Sequence, residues 1–480
     1  MQHAIPARPS RSRRAAAALA AAALALPVLA LGAAPVAAET RQVPQNRAEI
    51  SLSFAPVVKK AAPAVVNIYA RKSVERARSP FMGDPFFERF FQRFAPPSRR
   101  MENALGSGVI VSPDGLVVSN HHVVGGAEEI RVVLADRREY EAELVLSDED
   151  SDLAVLRLAD AADLPALELL DSDELEVGDL VLAIGNPFGV GQTVTSGIVS
   201  GLARSGGAGG RGDGYFIQTD AAINPGNSGG ALVDMEGRLA GVNTSILTRS
   251  GGSNGIGFAV PANLVAQVVA QAEAGRSELA RPWSGVAAQT VTGELAEAMG
   301  LERPEGVLLR GLHRLSPFAA AGLRRGDVVV AVDGRPVASP QELDFRLAAR
   351  GVGAKATVDY LRGREAGSAR VALFPAPEDP PADIRRIRGR SPFMDLAVGN
   401  LSPALAGRVG APEDAEGVVV LEAGPMGRRN GWRPGDIIRK VDGRAVDSTR
   451  TLDRIADERR SRWEVEIERD GRRGALRFRG

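Results

Sequence analysis

An internal repeat constrains this chain of 480 residues more than any other feature. Gly322-Leu323-Arg324-Arg325-Gly326-Asp327-Val328-Val329 returns as Gly431-Trp432-Arg433-Pro434-Gly435-Asp436-Ile437-Ile438. Val332-Asp333-Gly334-Arg335 returns as Val441-Asp442-Gly443-Arg444, Val337 as Val446 and Leu343 as Leu452. The offset is 109 throughout (431 less 322, 452 less 343). Agreement over this span without a gap means two copies of one module. The repeated Gly-Asp and Asp-Gly pairs read as turn determinants of that module. Pro375 to Arg390, rich in Pro and charge, reads as the linker between the copies.

The stretch from Gly106 to about Pro261 is written differently. Short β-like runs alternate with turn signals: Val109–Val111, Leu116–Val118, Ile130–Leu134, Leu153–Leu156, Leu180–Ile184, Gly197–Val199 and Leu239–Val242. Pro113-Asp114-Gly115 and Met235-Glu236-Gly237 read as hairpin turns. Many short strands at this spacing predict an all-β barrel or sandwich. Val57-Val58 and Ala64–Tyr69 predict a first helix and strand, and Asn263–Ala274 a closing helix. Phe87, Phe90, Phe91 and Phe94 recur at helical spacing within the Phe-rich segment 79–100. That segment reads either as a helix capping its own domain or as a loop packing on a second subunit or a membrane surface.

Composition removes several chemistries. There is no cysteine, so disulfides, thiol nucleophiles and Cys-based zinc sites are excluded. The four histidines have no metal-ligand spacing, and no Gly cluster carries the Lys-Ser/Thr of a phosphate loop. No metal and no cofactor are therefore expected. Formal net charge is zero, which gives no support for a nucleic-acid partner. Arg8, Arg11, Arg13 and Arg14 precede an apolar run, Ala15–Gly32, and the small residues Val36-Ala37-Ala38. This is the pattern of a cleaved export signal over 1–38, so the mature chain is expected to begin near Glu39.

Asn224-Pro225-Gly226-Asn227-Ser228-Gly229-Gly230 is the strongest chemical signal. A serine among glycines can sit on a tight turn with its hydroxyl exposed and backbone N–H groups turned inward. One short stretch then supplies both an acyl-transfer nucleophile and an oxyanion hole. A serine hydroxyl needs a base in reach and a third group to orient that base. His3 leaves with the signal and His313 lies in the repeats, so the base is His121 or His122. Strand alternation would put one of them on the inner side. The orienting acid comes from Asp148, Asp150 and Asp152, of which Asp152 directly abuts the apolar run Leu153–Leu158.

Four stretches give these pieces a family. Ser119-Asn120-His121-His122-Val123-Val124, Ser151–Leu156, Ala183–Gly189 and Gln218–Gly230 resemble the HtrA/DegP family of periplasmic serine proteases. The order His, Asp, Ser is that of the chymotrypsin-like double β-barrel, and the repeats resemble the family's two PDZ domains. The resemblance implies a mainly β chain with a signal (1–38), a protease domain (39–278), PDZ domain 1 (281–375), the linker (376–390) and PDZ domain 2 (391–480). It implies His122 as base, leaving His121 as a strand residue facing away. Asp152 orients the base and Ser228 attacks. The turn Gly226, Asn227, Ser228 forms the oxyanion hole, with Gly226 and Ser228 as donors.

The resemblance also speaks to specificity and partners. The residue six before the nucleophile lies at the base of the specificity pocket, where trypsin has an acid; here it is Ala222. With Ile223, Leu247 and Ile256 lining that pocket, cleavage after small aliphatic residues is expected. Thr244, Ser245, Ile246, Leu247 and Thr248 should form the strand that pairs with the substrate backbone. Asn227 replaces the Asp that trypsin-like zymogens use to receive a new N-terminus. Regulation is therefore expected from the loops Ser205–Gly214 and Leu247–Gly255 instead. Trp283-Ser284-Gly285-Val286 looks like the carboxylate loop of PDZ domain 1. In PDZ domain 2, Phe393-Met394-Asp395-Leu396 takes that place without the glycine, and the acid at Asp395 would repel a carboxylate. The implied partners are unfolded or misfolded proteins, C-terminal peptides at the PDZ domains and further copies of the chain in trimer-based assemblies. The competing reading is a chaperone or peptide-gripping scaffold with a dormant barrel.

Overall fold

The structure is a computed structural model that describes residues 53–73, 101–186, 191–204, 215–224, 226–246, 255–412 and 415–479. The export signal, the Phe-rich segment 79–100 and most of the loops Ser205–Gly214 and Leu247–Gly255 lie outside the described residues. Helix α1 (Ala55–Ala61) leads into strand β1 (Val65–Ser73). Strands β2 (Met101–Ser112) and β3 (Leu116–Ser119) follow, then a one-turn helix α2 (His121–Val124), then β4 (Glu129–Val133), β5 (Glu139–Asp148) and β6 (Leu153–Leu158). The six strands close into a barrel in the order β1-β2-β3-β6-β5-β4. Pro113-Asp114-Gly115 makes the β2–β3 turn, where Gly115 adopts φ 92°.

A second barrel repeats this path. It contains β7 (Leu180–Gly185), β8 (Thr193–Arg204), β9 (Phe216–Thr219), β10 (Ala231–Val233), β11 (Leu239–Ile246) and β12 (Gly257–Pro261). Read around the closed barrel, the order is β7-β8-β9-β12-β11-β10, the first barrel's order six strands later. Closure removes the free edges that a six-stranded open sheet would expose. Apolar side chains fill each interior: Ile68, Ile110, Leu116 and Leu156 in the first, Val181, Ile217, Ile223 and Leu232 in the second. Leu182, Ile184, Ala231 and Val242 of the second barrel join the first core and weld the two together. Helix α3 (Ala262–Glu273) lies along the join and buries Ala262, Val265, Val268 and Ala272.

The repeated module is a small sheet crossed by helices. In the first copy, β13 (Val286–Thr290), β14 (Val307–Leu312), β15 (Val328–Val332), β17 (Lys355–Arg362) and β18 (Glu365–Ala372) pair in that order, with β16 (Arg335–Pro336) beside β15. Helices α4 (Gly293–Met299), α5 (Pro317–Ala320) and α6 (Pro340–Arg350) complete it. In the second copy, β19 (Arg385–Arg386) precedes β20 (Leu396–Asn400), α7 (Pro403–Val409), β21 (Val418–Ala423) and α8 (Pro425–Arg429). Then come β22 (Ile437–Val441), β23 (Arg444–Ala445), α9 (Thr449–Ala456), β24 (Arg462–Arg469) and β25 (Arg472–Arg479).

The repeated Gly-Asp pairs have a structural task. Asp327 and Asp436 are buried. Each accepts an arginine from the following long strand: Arg362 Nε to Asp327 Oδ1 at 2.8 Å, Arg469 Nε to Asp436 Oδ1 at 2.5 Å. The same arginines reach the carbonyls of Gly322 and Gly431. The Asp-Gly pairs 333–334 and 442–443 both take positive φ at both residues, as the tightest hairpin turns require.

One expectation about organisation is corrected. Pro375–Arg390 is not a plain spacer, because its second half carries β19 and pairs with β20 of the second module. The first module also touches the double barrel. Arg281 Nη1 donates to Asp148 at 2.9 Å, Arg346 pairs with Asp173, and Tyr215 stacks on Phe345 at 3.8 Å. Burial pushes the Tyr215 hydroxyl up to about 12, so it stays protonated in this contact.

Candidate active site

The acid is set by an unusual backbone. Asp152 sits at φ 54° in the left-handed region, which Asp tolerates better than most residues, at the mouth of β6. That geometry turns both its carbonyl and its carboxylate toward the N-terminus of α2. The amide of His121 donates to the Asp152 carbonyl (3.2 Å), and the amide of His122 donates to Oδ1 (3.0 Å). Asn120 Nδ2 also donates to the Asp152 carbonyl (2.9 Å). The His121 and His122 amides are among the N–H groups left free at the start of a helix, and here the Asp152 carbonyl takes one and its carboxylate the other.

His122 then faces Asp152 with its ring. Nδ1 lies 2.9 Å from Oδ1 and 2.8 Å from Oδ2. This fixes the proton on Nδ1 and leaves Nε2 as the free basic nitrogen. Burial alone would push the Asp152 carboxyl up. The charge of His122, its ring N–H, the Thr244 hydroxyl and the His122 amide outweigh it and hold the group below the usual carboxylate value. His121 points elsewhere, with Nδ1 at 2.7 Å from Ser147 Oγ. It is not a strand residue, as the apolar neighbours predict. It opens helix α2, and consecutive helical side chains diverge by about 100°. Of the other two acids, Asp148 pairs with Arg281 and Ser151, and Asp150 lies near Arg281. Neither reaches a histidine.

The second barrel supplies the serine turn. Gly226 takes φ 101° and Gly229 φ 82°. The Asn227 amide donates to Asn224 O and the Gly230 amide to Asn227 O, each at 2.9 Å. Among the described residues, no carbonyl accepts from the amides of Gly226 or Ser228. The Ser228 hydroxyl donates to the Thr244 carbonyl at 2.9 Å rather than to His122. Thr244 on β11 links the two halves, because its own hydroxyl donates to Asp152 Oδ2 at 2.5 Å. The expected pocket residue Ile223 is buried and packs so closely on Gly257 that a side chain there would have to displace it. Ala222 O accepts from Thr195 Oγ1 at 2.9 Å, and Ile256 is half-buried. Leu247 and Thr248, and the side chains of Ser245 and Ile246, lie outside what is described. Asp220, two residues before Ala222, is exposed and accepts from the Ile198 amide at 2.7 Å.

Two residues carry more of this site than their sequence suggests. Thr244 reads from sequence only as a substrate-pairing position. Ser107 on β2 carries no sequence signal beyond its two flanking glycines. It is fully buried, and its hydroxyl donates to Gly226 O at 2.6 Å and accepts from the Asn186 amide at 2.8 Å. Its own amide donates to Ser228 O at 2.9 Å, and Ser119 Oγ donates to its carbonyl at 2.7 Å. Gly106 and Gly108 are small because Val123 and Val117 press on them. The strand's approach to the serine turn shows at Gly229 instead, where a Cβ would collide with the Ser107 carbonyl and the Ser119 hydroxyl.

The trypsin-like peptidase domain family matches residues 106–242, and the PDZ domain family matches residues 285–373. The chain is 38% identical over 429 residues to a probable periplasmic serine endoprotease, DegP-like, of Pseudomonas fulva (strain 12-X), covering 84% of this chain and 88% of that protein. It is 36% identical over 422 residues to a probable periplasmic serine protease, do/HhoA-like, of Haemophilus influenzae, covering 84% and 87%. Among solved structures, the HtrA-type protease AlgW with a tripeptide superposes with a TM-score of 0.51 at 41% identity, covering 68% of this chain and 98% of that one. A double barrel with a serine turn at its seam, followed by PDZ modules and matched over most of its length by such relatives, belongs to the HtrA/DegP family of periplasmic serine endoproteases.

Proposed function

We propose that Ser228, His122 and Asp152 form the catalytic set of an ATP-independent endopeptidase that degrades unfolded proteins in the periplasm. The observation that carries this reading is the pair of bonds from Asp152 to the His122 ring beside a serine on a glycine turn. Rotation of the Ser228 side chain away from the Thr244 carbonyl brings its hydroxyl to His122. Nε2 takes the proton as Oγ attacks the substrate carbonyl. Asp152 holds the ring and stabilises the imidazolium. The amides of Gly226 and Ser228, unspent within the described fold, receive the oxyanion. The acyl-enzyme is then hydrolysed by water with His122 again as base.

The pocket walls give the specificity. Ala222 and the buried Ile223 leave no acid to receive Lys or Arg, so cleavage follows Val, Ala or Ile. An Arg side chain buried there unpaired would cost several kcal/mol. Residues 39–278 form the protease and 281–375 the first PDZ domain. Its loop Trp283–Val286 receives C-terminal carboxylates: Gly285 at φ 62° tightens it, and β13 leaves one edge unpaired among the described strands. Residues 1–38 act as the export signal. Trimer-based assembly follows from the family resemblance, and sedimentation of the mature chain tests it.

The deciding experiment compares mature wild type with Ser228→Ala on casein, with cleavage sites mapped by mass spectrometry. Wild type is expected to cut after small aliphatic residues and the variant not at all. Cuts after Arg would refute the pocket. An inactive wild type that still suppresses aggregation of unfolded protein would favour the chaperone reading.

A further inference from the structure

A PDZ groove lies between one sheet-edge strand and one helix, and its ligand enters as an added antiparallel strand. The two copies of the module differ at this place. In the first, β13 pairs only with β14 among the described strands. In the second, β20 pairs with β21 on one side and with β19 on the other. Arg385 lies opposite Val398, and Arg386 opposite Ala397, in antiparallel register. The ladder extends beyond the strand. Asn400 N donates to Ala382 O (2.7 Å), Asn400 Nδ2 to Pro381 O (2.8 Å), and Ile387 N to Leu396 O (2.9 Å).

The side chains complete a ligand-like fit. Ile387 is 1% exposed and belongs to the apolar core with Phe393, Leu396, Leu452 and Ile455. Its carbonyl accepts the Asp395 amide at 3.0 Å. Asp395 stands where Gly285 stands in the first copy and takes a similar positive φ, 69° against 62°. An N–H that would receive a terminal carboxylate therefore receives an internal carbonyl. Helix α9 holds the other side of the strand: Thr449 Oγ1 donates to Asp383 (3.0 Å), and Arg385 reaches Asp453 (3.5 Å). Arg386 spans Asp395 (3.2 Å) and Glu422 (2.7 Å).

We propose that the peptide groove of the second PDZ module is a working ligand site, filled in cis by residues 381–387 of the same chain. Free C-terminal peptides are then captured by the first module alone. The groove selects an extended segment with an aliphatic side chain in the pocket of Ile387 and two basic residues before it, matched by Asp395, Glu422 and Asp453. A competitor from another protein needs the same chemistry.

The absence of cysteine makes a clean test possible. The probe is a fluorescent peptide, Pro-Ala-Asp-Ile-Arg-Arg-Ile with a free C-terminus, titrated into the full mature chain. Ile387→Asp should release the strand and add one peptide site per chain over wild type. The double variant Arg386→Cys/Ala397→Cys joins directly opposed residues. On mild oxidation it should form an intrachain disulfide in nearly every molecule and bind no more peptide than wild type. A gained site in Ile387→Asp, or an intrachain lock with unchanged stoichiometry, supports the proposal. A folded Ile387→Asp with no added site overturns it. A disulfide between chains also overturns it, by making a second copy the occupant. If Ile387→Asp does not fold, the lock decides alone.

Discussion

The two barrels share one strand order, yet they hold their functional residues differently. The first barrel assembles its pair from its own backbone. Asp152 is gripped by Asn120, His121 and His122, all within one strand end and one helical turn. The second barrel does not complete its turn unaided. Gly226 O and Ser228 O are both held by Ser107, a residue of the first barrel. In return it lends Thr244 to Asp152. The Asp152–His122 half is thus built mostly from local backbone, and the Ser228 half depends on the contact between the barrels. Any change that loosens the seam should disturb the serine turn before it disturbs the histidine.

The largest test removes the proposed nucleophile from the dependent half. Ser228→Ala should lower kcat by about 10⁶-fold. It should leave the His122–Asp152 hydrogen bond intact, read as an unchanged downfield Nδ1 proton signal. Loss of that signal would mean that the halves are built as one. Next is the self-supporting half. Asp152→Asn should cost about 10⁴-fold in kcat, because an amide facing Nδ1 favours the wrong tautomer. Substrate affinity should hardly change. A drop of less than tenfold would remove Asp152 from its assigned role.

Ser107→Ala strikes the dependence itself. It leaves Gly226 O and the Asn186 amide without their shared buried partner, at about 1–3 kcal/mol for each unsatisfied group. The oxyanion turn should loosen, and kcat should fall by about 10²-fold, the scale of losing one oxyanion donor. KM should stay near wild type, and Ser107→Thr should recover much of the rate. A Ser107→Ala enzyme with normal kcat would show that the turn stands without the first barrel.

The same contrast explains what could be read from the sequence. Locally coded pieces were legible. The apolar runs at 109–111, 116–118, 153–156, 180–184, 197–199 and 239–242 fall within strands, the run 130–134 overshoots β4 by Leu134 alone, and both Gly-containing turns sit where expected. Strand β5 was missed because Glu139, Glu141 and Glu143 face solvent and break any apolar run. Strand β10 was missed because it spans three residues, Ala231–Val233. The choice between His121 and His122 needed the family resemblance, because a single helical turn replaces the expected strand end. Ser107, the second role of Thr244 and strand β19 were invisible for one reason. Each acts through a partner more than ten residues away, at a register fixed only when separate elements meet.

Thr244→Val tests the reverse loan, from the second barrel to the first, and should have the smallest effect. It removes one hydrogen bond to a half-buried carboxylate, worth about 1.5–3 kcal/mol for a charged acceptor, while keeping the side chain's shape. Activity at neutral pH should fall by no more than about tenfold. Stability should show the effect more clearly. The Asp152 carboxyl lies below its ordinary value in the folded chain, so it stabilises the fold above the unfolded value near 3.8. That contribution disappears as pH falls through the lower, folded value. Without the Thr244 hydroxyl, the folded value moves up toward the unfolded one. The gap in urea midpoint between wild type and Thr244→Val should therefore be full at pH 7 and narrow as the pH drops below about 4. Thr244→Ser should restore the wild-type curve. A gap that stays constant with pH would assign the loss to packing in the second barrel and leave Asp152 supported by the first barrel alone.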